Sequence, residues 1–195
     1  MSERIYPDDM NPANEMSLGH KFRYMLARGF LDAGYKVLDA ACGCGYGSYI
    51  LAQLPGVEVH GLDYDQGAID YAEAHYLRSV SSHGSASTFE VADLDAWEPG
   101  AGSVDAVVSF ETIEHLVQEP KVFADKLKKA ASKLIIVSAP IVPTVGVNHY
   151  HKHDLTDEQM VGLFQDENWM LYEKIKQRVY GVYVFVKRDR IEGLR

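Results

Sequence analysis

Apolar positions along this chain repeat with two alternating periods. Short Val-, Ile- and Leu-rich runs at 37–38, 57–63, 88–91, 104–110 and 134–137 each predict a strand. The run 104–110 is apolar nearly throughout, as a central parallel strand should be. Between these runs, apolar residues return at helical spacing. They predict a helix over 15–30, with Met16, Phe22, Met25, Leu26 and Phe30 on or near one face and Gly34 beyond its end. Further helices are expected over 48–54, stopped by Pro55-Gly56, over 66–77 with Ile69, Ala72 and Tyr76, and over 120–130 with Val122, Phe123 and Leu127 inward. Thr156-Asp157-Glu158-Gln159 has the form of a capping box, with Leu155 and Met160 placed for a hydrophobic staple, so a helix starts at 157. Two late strands, 171–178 and 183–187, enclose an expected turn at Tyr180-Gly181. Residues 1–15, with Pro7 and Pro12, and the Ser/Gly/His stretch 79–87 predict irregular chain.

Strands alternating with helices predict an α/β fold with a doubly wound, largely parallel sheet. Its most informative stretch is Val37-Leu38-Asp39-Ala40-Ala41-Cys42-Gly43-Cys44-Gly45-Tyr46-Gly47, a strand end, an acid and a glycine-rich turn leading into a helix. Glycine admits positive φ and lets a ligand approach the backbone, and doubly wound sheets bind nucleotides beyond the carboxyl ends of their strands. A second acid, Asp63, ends the next strand about 20 residues on, where a ribose hydroxyl would be held. The spacing G-x-G-x-x-G of a plain dinucleotide fingerprint is absent.

Composition narrows the picture. A length of 195 residues suits one domain with a real core. The net charge of −9 argues against a broad nucleic-acid footprint. No apolar run is long enough to span a bilayer, and the polar, acidic N-terminus does not read as a signal peptide, so a cytoplasmic protein is expected. Cys42 and Cys44 share one turn and read as small, reduced side chains.

From about Glu15 to Lys187 the chain resembles the class I S-adenosylmethionine (SAM)-dependent methyltransferases, whose first motif is matched by residues 37–45. Ala41 stands where such proteins usually carry glycine or another small residue. The resemblance implies a seven-stranded, mostly parallel sheet with an antiparallel last strand, in a single domain with an N-terminal lid segment and helix over 1–33 and a core over 34–195. It also implies SAM as cofactor. The turn with Ala41, Gly43 and Gly45 would pass beside the methionine part, Asp39 would hold the ammonium, and Asp63 the ribose hydroxyls. In Ala92-Asp93-Leu94, Asp93 would bind the adenine amino group, and Tyr64 and Leu94 would sandwich the ring. The stretches His20-Lys21-Phe22-Arg23-Tyr24 and Ser109-Phe110-Glu111-Thr112-Ile113-Glu114-His115-Leu116 resemble small bacterial and phage methyltransferases of glycans and natural products. There Arg23 would clamp the SAM carboxylate; the alternative is that His20 and Arg23 form a solvated helix face.

Glu111-x-x-Glu114-His115, with the later Asn148-His149-Tyr150-His151-Lys152-His153-Asp154, is the sharpest chemical constellation. It resembles segments of small-RNA 2′-O-methyltransferases and ubiquinone-pathway O-methyltransferases. Glu111, Glu114, His115 and His151 would then ligate Mg²⁺ or Mn²⁺ and lower the pKa of an acceptor hydroxyl. The alternatives are that His115 and His151 act as general base without metal, with Glu111 also at the reacting group, or that this segment only packs the acceptor loop. The Asp/Asn-Pro-Pro-aromatic motif of nitrogen-methylating DNA enzymes is replaced by Ser109-Phe110-Glu111-Thr112, and a Lys-Pro-Gly-Gly turn by Lys129-Ala130-Ala131-Ser132-Lys133. Three readings follow: an O-methyltransferase of a small-molecule or glycan acceptor, with neither nucleic acid nor membrane as partner; a metal-dependent methyltransferase of RNA 3′ ends; and a non-catalytic SAM-binding protein.

Overall fold

The computed structural model of the protein describes residues 15–77 and 84–192. The irregular stretch expected before Glu15, and positions 79–83 of the expected loop, lie outside the described residues. The elements are α1 (Glu15–Arg28), β1 (Lys36–Ala40), α2 (Tyr46–Leu51), β2 (Glu58–Asp63), α3 (Gln66–Tyr76), β3 (Ala86–Val91), β4 (Val104–Phe110), α4 (Pro120–Ala130), β5 (Ala131–Pro140), α5 (Asp157–Phe164), β6 (Trp169–Gln177), β7 (Tyr180–Lys187) and a short α6 (Arg188–Glu192). The strands form one seven-stranded sheet in the order β3-β2-β1-β4-β5-β7-β6. β1, β2 and β3 pair in parallel, as do β4 and β5, while β7 runs antiparallel to both β5 and β6. The chain divides into two compact units, one ending at Asp93 and the other beginning at Leu94.

In the first unit, Ile69 and Ala72 of α3 pack on Phe89 and Cys42, with Tyr76 at the edge. In the second, Val107, Val108, Ile135, Ile136, Val184 and Phe185 have no exposed surface. This explains why the middles of β4 and β5 read as apolar runs. α5 is capped as expected: the Thr156 hydroxyl accepts from Gln159 N–H, and the Gln159 side chain accepts from Thr156 N–H.

Four expectations need correction. On α1, Leu18, Phe22 and Met25 are about half exposed, whereas Arg23, Tyr24 and Ala27 are buried. The Tyr24 ring fills the space over Gly47, where a Cβ would sit 2.1 Å from it, so the fit to α2 chooses the buried face. On α4, Val122 is exposed and Lys126 is buried instead, its stem covered and its Nζ donating to the Asp95 carbonyl at 2.9 Å. β5 starts at Ala131, directly after α4, so no turn separates them. Finally, the β6–β7 turn is Arg178-Val179, with Gln177 opposite Tyr180 and Arg178 at φ +58°. Gly181 lies inside β7, because a Cβ there would meet the Tyr183 hydroxyl at 2.3 Å. Among the described residues, no helix is long and apolar enough to cross a membrane.

Candidate active site

The first unit places Asp39 and Asp63 at the carboxyl ends of β1 and β2. The turn after β1 folds back on β2 through the N–H groups of Ala41 and Cys42, which both donate to the Leu62 carbonyl at 2.9 and 2.8 Å. Ala41 adopts φ +73°, a conformation that costs a residue with a Cβ about 1–2 kcal/mol and suits glycine better. The glycines serve different ends. A Cβ on Gly43 would meet nothing within 4 Å, so this position faces open space. A Cβ on Gly45 would strike the Ala72 Cβ at 2.6 Å and the Phe89 ring at 2.9 Å, so this glycine answers to packing on α3 and β3.

Asp63 is 5% exposed; its Oδ2 accepts from Gly43 N–H at 2.9 Å and its Oδ1 from Asp65 N–H at 3.0 Å. Asp39 is fully buried. Its Oδ1 accepts from the Tyr24 hydroxyl at 3.1 Å and its Oδ2 from the Ser48 hydroxyl at 2.7 Å. Asp39 thus joins α1, β1 and α2, a role the sequence pattern did not reveal. Burial pushes its carboxyl up to about 7, against the pull of the Ser48 and Tyr24 hydrogen bonds.

Arg23 is buried at 3% exposure, which excludes the solvated-face reading for it. His20 Nδ1 pairs with the Tyr46 hydroxyl. Burial, then the Arg23 charge, hold that imidazole neutral, down to about 3. Tyr64 is 73% exposed, Asp93 is exposed, and Leu94 is buried with its carbonyl accepting from Gln118 Nε2 at 2.9 Å. A buried guanidinium, an open glycine and a carboxylate presented by two N–H groups fit the carboxylate, backbone and diol of SAM.

The raised Asp39 carboxyl carries a stability consequence. A carboxyl whose folded pKa exceeds its ordinary 3.8 gives most stability below that value and loses it as pH rises through about 7. Asp39→Asn is expected to make the ligand-free protein more stable than the parent at about pH 8, by about 1–3 kcal/mol, with no gain at about pH 4. Urea unfolding at both pH values is the check, and identical pH dependence of the two proteins would contradict it.

The second unit gathers its chemistry past the end of β4. Glu111 sits at φ +51°; its N–H donates to the Ser138 carbonyl and its Oε1 accepts from the Ser138 hydroxyl at 2.6 Å. The carbonyl of Glu114 accepts from the N–H groups of Lys152 and His153 at 2.7 and 3.2 Å, which ties the loop after β5 to the turn after β4. This brings the His151 ring edge-on to His115, with centroids 4.5 Å apart. His151 Nδ1 is held by the Thr144 hydroxyl at 2.7 Å, and Asp154 Oδ1 in turn accepts from Val145 N–H at 2.9 Å.

The ligand atoms of Glu114, His115 and His151 lie within 4.8 Å of one another, so two imidazoles and a carboxylate that is 1% exposed could hold a divalent ion. Glu111 is not part of this group: Ser138 draws it to β5, so the expected four-residue set is brought together as three. His153 is structural, with Nε2 bonded to the carbonyls of Leu116 and Gln118, and His149 lies tilted against the Tyr150 ring at the surface. Ser138 and Thr144 escaped the sequence reading, since no local motif marks a hydroxyl that acts across loops.

The fold is that of the class I methyltransferases. Residues 37–132 match a methyltransferase domain family. A probable SAM-dependent methyltransferase of Mycolicibacterium smegmatis is 29% identical over 68% of this chain and 51% of its own length. Phosphoethanolamine N-methyltransferase 3 of Arabidopsis thaliana is 30% identical over 82% of this chain and 33% of its own. The chain thus spans between about a third and a half of these relatives. In fold it is similar to the magnesium protoporphyrin IX methyltransferase of Synechocystis with bound S-adenosylhomocysteine, with a TM-score of 0.71, 20% identity, and 96% and 90% of the two chains covered. The matched domain family, the relatives and the fold together support a class I SAM-dependent methyltransferase with SAM as cofactor.

Proposed function

We propose that the protein transfers a methyl group from SAM to an oxygen of a small-molecule or glycan acceptor. The Glu114–His115–His151 cluster carries the choice of oxygen, because a hydroxyl needs a base to take its proton as it attacks, whereas a neutral amine attacks through its lone pair. SAM, when bound, supplies a methyl group on a positively charged sulfur. In the first unit, Asp63 would fix the ribose, Arg23 the carboxylate, and Gly43 would leave room for the chain between them. In the second, His115 or His151 would take the proton from the acceptor hydroxyl. If Glu114, His115 and His151 hold Mg²⁺ or Mn²⁺, the ion would lower the hydroxyl pKa and orient a diol.

Nitrogen methylation is the second reading, favoured by the similarity to phosphoethanolamine N-methyltransferases. The test is calorimetry with SAM and S-adenosylhomocysteine, followed by mass spectrometry of products from a panel of phenols, sugars and amines. Micromolar cofactor affinity and O-methyl products are expected. Absence of heat at millimolar SAM would remove the cofactor assignment, and N-methyl products alone would replace the oxygen acceptor.

A further inference from the structure

The polar core between α1 and the cofactor turn is more elaborate than helix packing requires. α1 contributes the Tyr24 ring and hydroxyl, both buried, to a cluster with His20 and Tyr46, with ring centroids 5.5 to 5.9 Å apart. The ring lies over Gly47, and the hydroxyl reaches Asp39. An uncompensated carboxylate this deep would favour its neutral form, which has no attraction for a cation. Two donated hydrogen bonds oppose that, one from Ser48 on the adjoining helix and one from α1 itself.

We infer that Tyr24 is a positioning residue for the cofactor, whose hydroxyl holds the Asp39 carboxylate charged and so couples the docking of α1 to the affinity for SAM. The inference rests on the reading of Asp39 as the partner of the SAM ammonium. The other groups coupled to Asp39 are Cys42 in the turn, Tyr46 on α2 and Asp63 on β2, while Arg23 on α1 acts on His20 and Tyr46. Tyr24, Cys42 and Tyr46 are all raised above their ordinary values by burial, and His20 stays neutral. Burial raises the Asp39 carboxyl to about 7, so its own charge changes near neutral pH.

Tyr24→Phe keeps the ring over Gly47 and removes only the hydroxyl. Binding of S-adenosylhomocysteine is measured by calorimetry from about pH 6 to about pH 9, with parent and variant compared at each pH so that ionisation of the ligand cancels. The variant is expected to bind about tenfold more weakly at the acid end and to match the parent at the alkaline end, as a rise of about one unit in the Asp39 pKa requires. Ser48→Ala should act in the same direction. In the ligand-free protein, the ¹³C titration of the Asp39 carboxyl should move to higher pH in Tyr24→Phe. A loss of affinity equal at every pH would make Tyr24 merely structural and overturn the inference, as would an unmoved titration. A parent protein that binds no S-adenosylhomocysteine would remove the cofactor reading and the inference with it. A parent that binds, with Tyr24→Phe indistinguishable from it, removes the inference alone.

Discussion

Asp63→Ala is expected to weaken SAM and S-adenosylhomocysteine by about 1.5–3 kcal/mol, roughly tenfold to a hundredfold in Kd, the scale of a hydrogen bond to a charged group. The same change strips Gly43 N–H and Asp65 N–H of their acceptor, since both bond the Asp63 carboxylate at 2.9 and 3.0 Å. A further loss of about 1–3 kcal/mol in folding stability should therefore appear without any ligand. Asp63→Asn separates the two effects. It keeps one acceptor oxygen and turns the other into a donor that faces an N–H, so it should lose much of the cofactor affinity while costing less stability than alanine. Calorimetry and urea unfolding read the two quantities independently. Unchanged affinity in a folded Asp63→Ala protein would show that the ribose is held elsewhere.

His115→Ala and His151→Ala should each leave cofactor affinity nearly intact and cut turnover by roughly 10²–10⁴, the range for a lost general base. Both residues belong to the second unit, whereas Asp39, Gly43 and Asp63 belong to the first. Metal analysis divides the two mechanisms. If an ion is used, a chelator should abolish turnover and Mg²⁺ or Mn²⁺ restore it, and Glu114→Gln should be as damaging as the histidine changes. Glu111→Ala should then act only through the loop that Ser138 anchors, with metal content retained. If the histidines act as bases, the chelator has no effect. Normal turnover of a verified acceptor by the His115/His151 double mutant would remove both mechanisms.

The elements with strong periodicity were legible before the structure. β4 and α4 fall where the apolar pattern puts them, and α5 begins at its capping box. Each is specified by residues within one turn or one strand of each other. The ends of β5 were not legible, because Ser132, Lys133 and Ser138 interrupt its apolar run; parallel pairing with β4 and antiparallel pairing with β7 carry the strand to Ala131 and Pro140. The β6–β7 turn was misplaced for a similar reason. Gly181 reads locally as turn chemistry, but the Tyr183 side chain requires a residue without a Cβ inside the strand.

The chain by itself determined the order of strands and helices, the glycine turn between Asp39 and Gly47, and the acid at the end of β2, since these depend on side chains close in sequence. Tertiary structure decided what those residues touch. It made Asp39 an internal acceptor for Tyr24 and Ser48, residues 15 and 9 positions away. It also opened Gly43 while closing Gly45 against α3 and β3, and it turned the inner face of α1 to Arg23 and Tyr24. In the second unit it drew Glu111 to Ser138, 27 positions on, and left Glu114 with His115 and His151. Contacts at such separations are set by the register of strands and the fit of one ring over one glycine, neither of which leaves a period in the sequence.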